Sequence, residues 1–220
     1  MPPTLRTLLL NTAVWLALAG KALAAGPLEV TAKRVGDLFE VRASATVLAP
    51  LPVVWGTLTD YERLPEFIPG LQRSRIIRRN GATTTVEQTG EARFLFLTVP
   101  IEVVTESTER PPVIEVRRVG GPLRHLQGRY ETEVLTTHPA QVQLRWIGSI
   151  ALDVELPPLI GETLVRLQLQ EQFEGMVREI ERREQVRRPV PADATARTPA
   201  PRAATTRSRD NPATQGGPSR

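Results

Sequence analysis

The chain contains no cysteine and only two histidines, and these absences exclude several kinds of site. Without cysteine there is no disulfide, thiolate metal ligand, cysteine nucleophile or acyl anchor on cysteine. His125 and His138 lie in different sequence neighbourhoods, so a histidine-rich metal site is not expected. We therefore expect no metal and no cofactor, and a function that depends on shape and apolar surface.

Lysine is also scarce, since Lys21 and Lys33 are the only two among 28 basic residues. The formal net charge of the whole chain is +4, divided as +2 in residues 1–24, −3 in 25–185 and +5 in 186–220. Because the excess of positive charge belongs to the two ends, the charge does not indicate nucleic-acid binding. The arginine-rich run 71–79 has no interleaved aromatics and is typical of a solvated sheet edge.

The first 24 residues have the pattern of a secretory signal peptide. Arg6 precedes an apolar run at 8–19, and Ala22-Leu23-Ala24 fits a signal peptidase site. The run is shorter than the roughly 20 apolar residues of a membrane span. We expect cleavage near Ala24 and export to a periplasm. An uncleaved anchor and full secretion remain alternatives.

Residues 186–220 contain six prolines, no aromatic residue and no apolar periodicity. Such a segment cannot bury enough surface to offset its ordering entropy, so we expect a disordered tail. Two interpretations stay open. The tail is a solvated spacer without a partner, or its arginines make weak contact with an anionic membrane or cell-wall surface, at about 1 kcal/mol per charge.

Residues 25–185 have the pattern of one α+β domain. Alternation of apolar and polar residues predicts strands, and turn residues separate them. The predicted order is a strand at 38–47, short helices at 50–59 and 61–67, strands at 71–79, 83–93, 94–105, 113–119, 124–135 and 141–152, and a helix at 159–184. Consecutive strands joined by short turns form an antiparallel sheet. We expect a helix-grip fold, in which about seven strands wrap around the long C-terminal helix.

Four of these strands place small residues on the face that meets the helix. Such a face either bends sharply at its glycines or leaves room for a ligand, and both can hold together. The expected lining combines small residues, aromatics, a few polar groups and two positions of the helix: Trp55, Phe67, Gln88, Gly90, Phe94, Phe96, Gly128, Tyr130, Thr132, Trp146, Leu169 and Phe173.

Residues 47–70 resemble the opening of START-like (SRPBCC) proteins, in particular the coenzyme Q-binding and polyketide cyclase/dehydrase branch. The shared pattern is a strand, a proline-containing helix start, Trp55, Asp60-Tyr61 and then Pro65-x-Phe67-x-Pro69. The resemblance covers about 38–184 and includes Pro157-Pro158 before the last helix. It implies a cavity between sheet and helix that binds hydrophobic molecules such as lipids, polyprenyl quinones or aromatic polyketides.

Two hypotheses follow for the function. The first is a monomeric, exported module that binds or carries a hydrophobic small molecule. The second is a cyclase or dehydratase that uses Asp60, Tyr130 or Glu66 in the same cavity. We favour the first, because Asp60 stands where a helix N-cap is needed and neither histidine has an evident partner. A pure protein-interaction role is a third alternative.

Overall fold

The computed structural model describes residues 28–94, 97–135, 140–154, 156 and 160–188. Its elements are β1 (Glu29–Val35), β2 (Leu38–Val47), α1 (Leu51–Leu58), a 3-10 helix (Tyr61–Glu66), β3 (Leu71–Asn80), β4 (Thr83–Phe94), β5 (Leu97–Arg110), β6 (Val113–Gly120), β7 (His125–Val134), β8 (Val142–Ala151) and α2 (Gly161–Arg187). The signal segment, the tail beyond 188, His138 and Pro157-Pro158 lie outside the described residues, so the predictions about them remain predictions.

The strands form one antiparallel sheet in the order β1-β2-β8-β7-β6-β5-β4-β3. The sheet is curved and unclosed, so β1 and β3 are its edges. From β3 to β8 each strand pairs with the next in sequence, while β2 pairs with β8. This is the predicted α+β helix-grip fold, and the prediction is confirmed.

The sheet has eight strands, against about seven expected, because β1 precedes the first predicted strand. In β1 only Val30, Ala32 and Arg34 turn toward the protein, and all three are half-buried. Such a strand has no clear apolar alternation. It is held by seven residue pairs with β2 and by the Arg34 backbone N–H, which donates to Glu162 Oε1 of α2 at 2.7 Å.

The two short helices stand at one end of the sheet. Pro50 is the N-cap of α1 and Pro52 lies in its first turn, where a missing N–H costs nothing. Asp60 precedes the 3-10 helix as predicted, but its carboxylate makes no capping hydrogen bond. That carboxylate instead accepts a hydrogen bond from Arg183 of α2, so it joins the 3-10 helix to α2.

Helix α2 covers the concave face of the sheet. An apolar stripe of the helix is buried against the sheet and comprises Val165, Phe173, Met176, Val177 and Ile180. The helix ends at Arg187, three residues later than expected, so the first residues assigned to the tail are helical. Among the described helices, none is long and apolar enough to cross a membrane.

Candidate functional site

A cavity of about 280 Å³ lies between the concave face of the sheet and α2. Seven strands, β2 to β8, both short helices and α2 contribute to its wall. The α2 side is formed mainly by Val165, Leu169, Phe173 and Met176, which are four members of the apolar stripe and its flank. The cavity exists because these side chains meet a curved sheet whose centre they do not fill.

Two aromatic residues of neighbouring strands form part of the sheet side. Tyr130 of β7 and Trp146 of β8 are paired in register, with ring centroids 4.7 Å apart and planes inclined by 51°. Burial raises the pKa of Tyr130 to about 12 because it disfavours the phenolate. Tyr130 is therefore a neutral, largely apolar wall residue at physiological pH.

The glycines expected to open space instead hold other groups close. Gly128 and Gly148 face each other across β7 and β8. A Cβ at Gly128 would lie 2.6 Å from a ring carbon of Trp146 and 2.7 Å from the Ile147 carbonyl oxygen. A Cβ at Gly148 would lie 2.8 Å from the same ring. The indole therefore occupies the space that the missing side chains leave.

Gly90 has a similar role at the edge of the cavity. A Cβ there would lie 2.2 Å from the Gly70 carbonyl oxygen, which accepts a hydrogen bond from the Glu91 N–H at 2.8 Å. Gly70 itself has φ +81°, a conformation that favours glycine. The two glycines let the segment after the 3-10 helix lie directly against β4.

A polar corner lies where the 3-10 helix meets β4 and β5. The Tyr61 hydroxyl donates to Glu109 Oε1 at 3.0 Å, and the Thr84 hydroxyl donates to the same oxygen at 2.9 Å. Tyr61 and Ser107 line the cavity, and both are buried. Burial is the main cause that raises the pKa of Tyr61, and the charge of Glu109 adds to it. Tyr61 therefore keeps its proton and can serve as a hydrogen-bond donor.

An ion-pair cluster fastens the 3-10 helix to α2. Arg183 donates to Asp60 Oδ2 at 2.8 Å and to Glu179 Oε1 at 2.7 Å, and its guanidinium lies 5.4 Å from the Phe67 ring centroid. Hydrogen bonds from Arg182, despite partial burial, hold the pKa of Glu179 at about 2. The cluster stabilises the end of the cavity and places Asp60 outside it.

Six of the twelve residues predicted to line the cavity do lie in its wall: Gln88, Gly90, Tyr130, Trp146, Leu169 and Phe173. Phe96 and the side chain of Phe94 lie outside the described residues. Whether any of these residues binds a ligand stays a prediction.

The remaining four lie elsewhere. Trp55 packs on the core beneath α1. Phe67 lines a surface depression beside Arg182. Gly128 lies under the Trp146 ring. Thr132 is buried and donates to the Pro112 carbonyl oxygen at 2.9 Å.

Several wall residues escaped the sequence analysis, including Tyr61, Thr105, Ser107 and Gln168. The alternation of β5 (Val103, Thr105, Ser107) carried a usable signal. Gln168 carried none, because a glutamine on a helix is ordinarily exposed; its Oε1 accepts a hydrogen bond from the Arg93 N–H at 3.1 Å.

The groups considered for catalysis or metal binding are not brought together. Glu66 is exposed and pairs with Arg63 at 2.7 Å, which lowers the pKa of its carboxyl. His125 is half-buried, and its Nε2 lies 2.9 Å from Ser149 Oγ. Within the described ranges no group of three or more His, Asp or Glu side chains could hold a metal ion.

Comparison with known proteins adds a family and a set of structural neighbours. The family model described as "Polyketide cyclase / dehydrase and lipid transport" matches residues 47–187. A comparison with curated proteins finds no match.

Three solved structures illustrate the likeness. The STAR-related lipid transfer protein from Xanthomonas axonopodis has a TM-score of 0.59 at 12% identity, over 70% of this chain and 93% of that chain. The Zhui aromatase/cyclase from Streptomyces sp. R1128 has a TM-score of 0.55 at 15% identity, over 68% and 95%. The lipid transfer and protein localization domain of human StarD13 has a TM-score of 0.54 at 17% identity, over 72% and 84%. At these identities the likeness shows the fold.

Proposed function

Because the chain belongs to the polyketide cyclase/dehydrase and lipid transport family, we propose that it binds a hydrophobic small molecule in the cavity between the sheet and α2. The observation that carries the proposal is the cavity itself, about 280 Å³ in volume and walled mainly by aliphatic and aromatic side chains. Ligand sites of small molecules have this character, with a few polar groups that fix orientation. Burial of apolar surface, at roughly 25 cal/mol per Å², supplies the affinity.

The proposed role is that of a binding or carrier module that works after export. The signal pattern of residues 1–24 supports export. Two of the structural neighbours are a lipid transfer protein and a lipid transfer domain by name, which supports lipid as a ligand class. Lipid, fatty acyl and polyprenyl quinone ligands all present the apolar surface that such a wall accepts.

Two valines of β6 give a matched test. Val116 lines the cavity, whereas Val119 is 41% exposed. The neutral fluorophore N-phenyl-1-naphthylamine should bind the wild-type protein saturably. Val116→Phe should weaken that binding by about tenfold or more, since a loss of about 1.4 kcal/mol suffices, and Val119→Phe should leave it unchanged. Fluorescence titration measures the affinities.

Thermal unfolding of both variants is the accompanying control. A folded Val116→Phe variant that binds the fluorophore like wild type would contradict the proposed cavity site. Failure of the wild-type protein to bind would contradict the proposed function as a whole.

The polar corner supports a second candidate, an enzyme of the cyclase type. Asp60 and Glu66 are engaged outside the cavity, but Tyr61 is a protonated phenol in the wall with a carboxylate, Glu109, behind it. When the Tyr61 hydroxyl exchanges its hydrogen bond to Glu109 for one to a ketone oxygen of the substrate, Thr84 still donates to Glu109. The phenol then stabilises the enolate that forms as a water molecule takes a proton from the adjacent carbon. Such a step is the first in condensation of a β-diketone chain.

Enolisation can be followed without the natural substrate. The protein should accelerate exchange of the central methylene protons of nonane-2,4-dione in D₂O, measured by NMR. Tyr61→Phe should reduce the acceleration about 100-fold, the lower bound for general acid catalysis, without a change in fluorophore affinity. Exchange no faster than in buffer would remove the enzymatic candidate.

A further inference from the structure

One arginine of the cavity face has a buried nitrogen without a partner. Arg118 lies on β6, and its Nε is the one buried side-chain nitrogen or oxygen among the described residues that makes no hydrogen bond. Its Nη2 donates to the Gly121 carbonyl oxygen. Buried polar groups are almost always paired, so an orphaned guanidinium N–H indicates an interaction that the described residues do not supply.

The strand register places Arg118 on the concave face. It is paired with Thr105 of β5, and Val116 lies two residues before it on the same face. Thr105 and Val116 both line the cavity, as does Leu126 on the neighbouring strand β7. Arg118 is not itself a wall residue here, but its neighbours on three strands are.

No described carboxylate pairs with Arg118. The nearest acidic residue on β5, Glu106, belongs to the opposite face, where it forms ion pairs with Arg78 and Arg117. The cation therefore lies beside an apolar cavity without a counter-charge from the described residues. Guanidinium groups bind carboxylates through parallel charge-assisted hydrogen bonds, which are stronger than neutral ones.

We infer that Arg118 anchors the carboxylate of an amphipathic ligand whose apolar body fills the cavity. The inference rests on the proposed function and narrows the ligand class to hydrophobic acids. Binding requires a side-chain rotation that exchanges the Gly121 carbonyl oxygen for a ligand oxygen, with no movement of the backbone. The apolar wall then holds the chain or ring, and Arg118 fixes its orientation.

Decanoate and 1-decanol test this inference, because they share a chain and differ in charge. The affinity of each compound is measured at pH 7.5 by its displacement of N-phenyl-1-naphthylamine from wild type, Arg118→Met and Arg117→Met. Arg117 is the matched control, since it adjoins Arg118 but faces solvent and pairs with Glu106. Arg118→Met should lower the affinity for decanoate about tenfold and change the affinity for 1-decanol by less than about twofold. Arg117→Met should change neither affinity.

The outcomes separate the two proposals. If the fluorophore and 1-decanol bind while decanoate binds Arg118→Met as tightly as wild type, water alone satisfies Nε and the inference is overturned. If no probe binds the wild-type protein, the proposed function fails and the inference with it. Fluorophore affinity reports whether each variant folds; should Arg118→Met not fold, Arg118→Gln gives the same comparison.

Discussion

Replacement of Gly175 by alanine is expected to lower the free energy of unfolding by about 2–3 kcal/mol, the cost of overpacking a close contact. Gly175 lies within α2, where alanine is ordinarily the better helix former by about 1 kcal/mol. A Cβ there would lie 2.3 Å from the Phe67 carbonyl oxygen and 2.8 Å from Pro69 Cδ. Because the first of these is a backbone atom, the segment after the 3-10 helix must move away from α2.

Gly56 supplies the matched control. It is also a helical glycine, in α1, but a Cβ there would meet nothing within 4 Å. Gly56→Ala should therefore stabilise the protein by about 0.5–1 kcal/mol. Urea denaturation of both variants measures the two changes. Equal changes in the free energy of unfolding at the two positions would contradict the close contact between the Phe67 backbone and α2.

The movement would also affect the cavity. The segment that approaches α2 at Gly175 also contributes three residues to the cavity wall, Leu64, Ile68 and Gly70. The ion pair of Asp60 with Arg183 holds the start of the same segment. Displacement at Gly175 should therefore weaken fluorophore binding together with stability, whereas Gly56→Ala should leave binding unchanged.

The fold was predictable because most elements follow from local rules. Alternation fixed β2, where Phe39, Val41, Ala43, Ala45 and Val47 are all buried. The 3.6-residue spacing fixed the buried face of α2. Strand β1 was not predictable in this way, since its stability comes from pairing with β2 and from the Arg34–Glu162 contact, which are both tertiary.

The site was predictable only in part, because a strand pattern shows which face a residue occupies but not what fills the space before it. Thr132 lies on the expected face, yet its hydroxyl donates to the Pro112 carbonyl oxygen and it is not part of the wall. The glycines carried a real signal with the wrong cause. Their absent side chains are replaced by the Trp146 ring and by the Gly70 carbonyl oxygen.

Polar wall residues were the least predictable. Nothing in the sequence neighbourhood of Tyr61 indicates that its hydroxyl reaches Glu109, 48 residues later. Arg118 likewise adjoins Arg117 in the sequence, and only the register with Thr105 shows that Arg118 lies on the concave face of the sheet and Arg117 on the opposite face. Long-range contacts of this kind depend on the whole sheet.

Replacement of Gly128 by alanine is expected to be comparably severe, with a loss of about 2–3 kcal/mol in the free energy of unfolding. The new Cβ would lie 2.6 Å from the Trp146 ring and 2.7 Å from the Ile147 carbonyl oxygen. The indole must then move away from the sheet surface, and the cavity that it lines lies on that side. The near-ultraviolet circular dichroism of Trp146 should decrease, and fluorophore binding should weaken because the displaced ring occupies the site.

Gly120 of β6 separates this effect from the general cost of a side chain in a strand. A Cβ at Gly120 would meet only the side chain of Val104, at 3.3 Å, which can shift slightly. Gly120→Ala should therefore cost less than about 1 kcal/mol and preserve the Trp146 signal. If Gly128→Ala unfolds less readily than Gly120→Ala, or keeps both the Trp146 signal and fluorophore binding, the paired glycines do not hold the ring. In that case the position of the Trp146 ring would not depend on the absence of side chains at these glycines. The shape of the cavity would then follow from the curvature of the sheet.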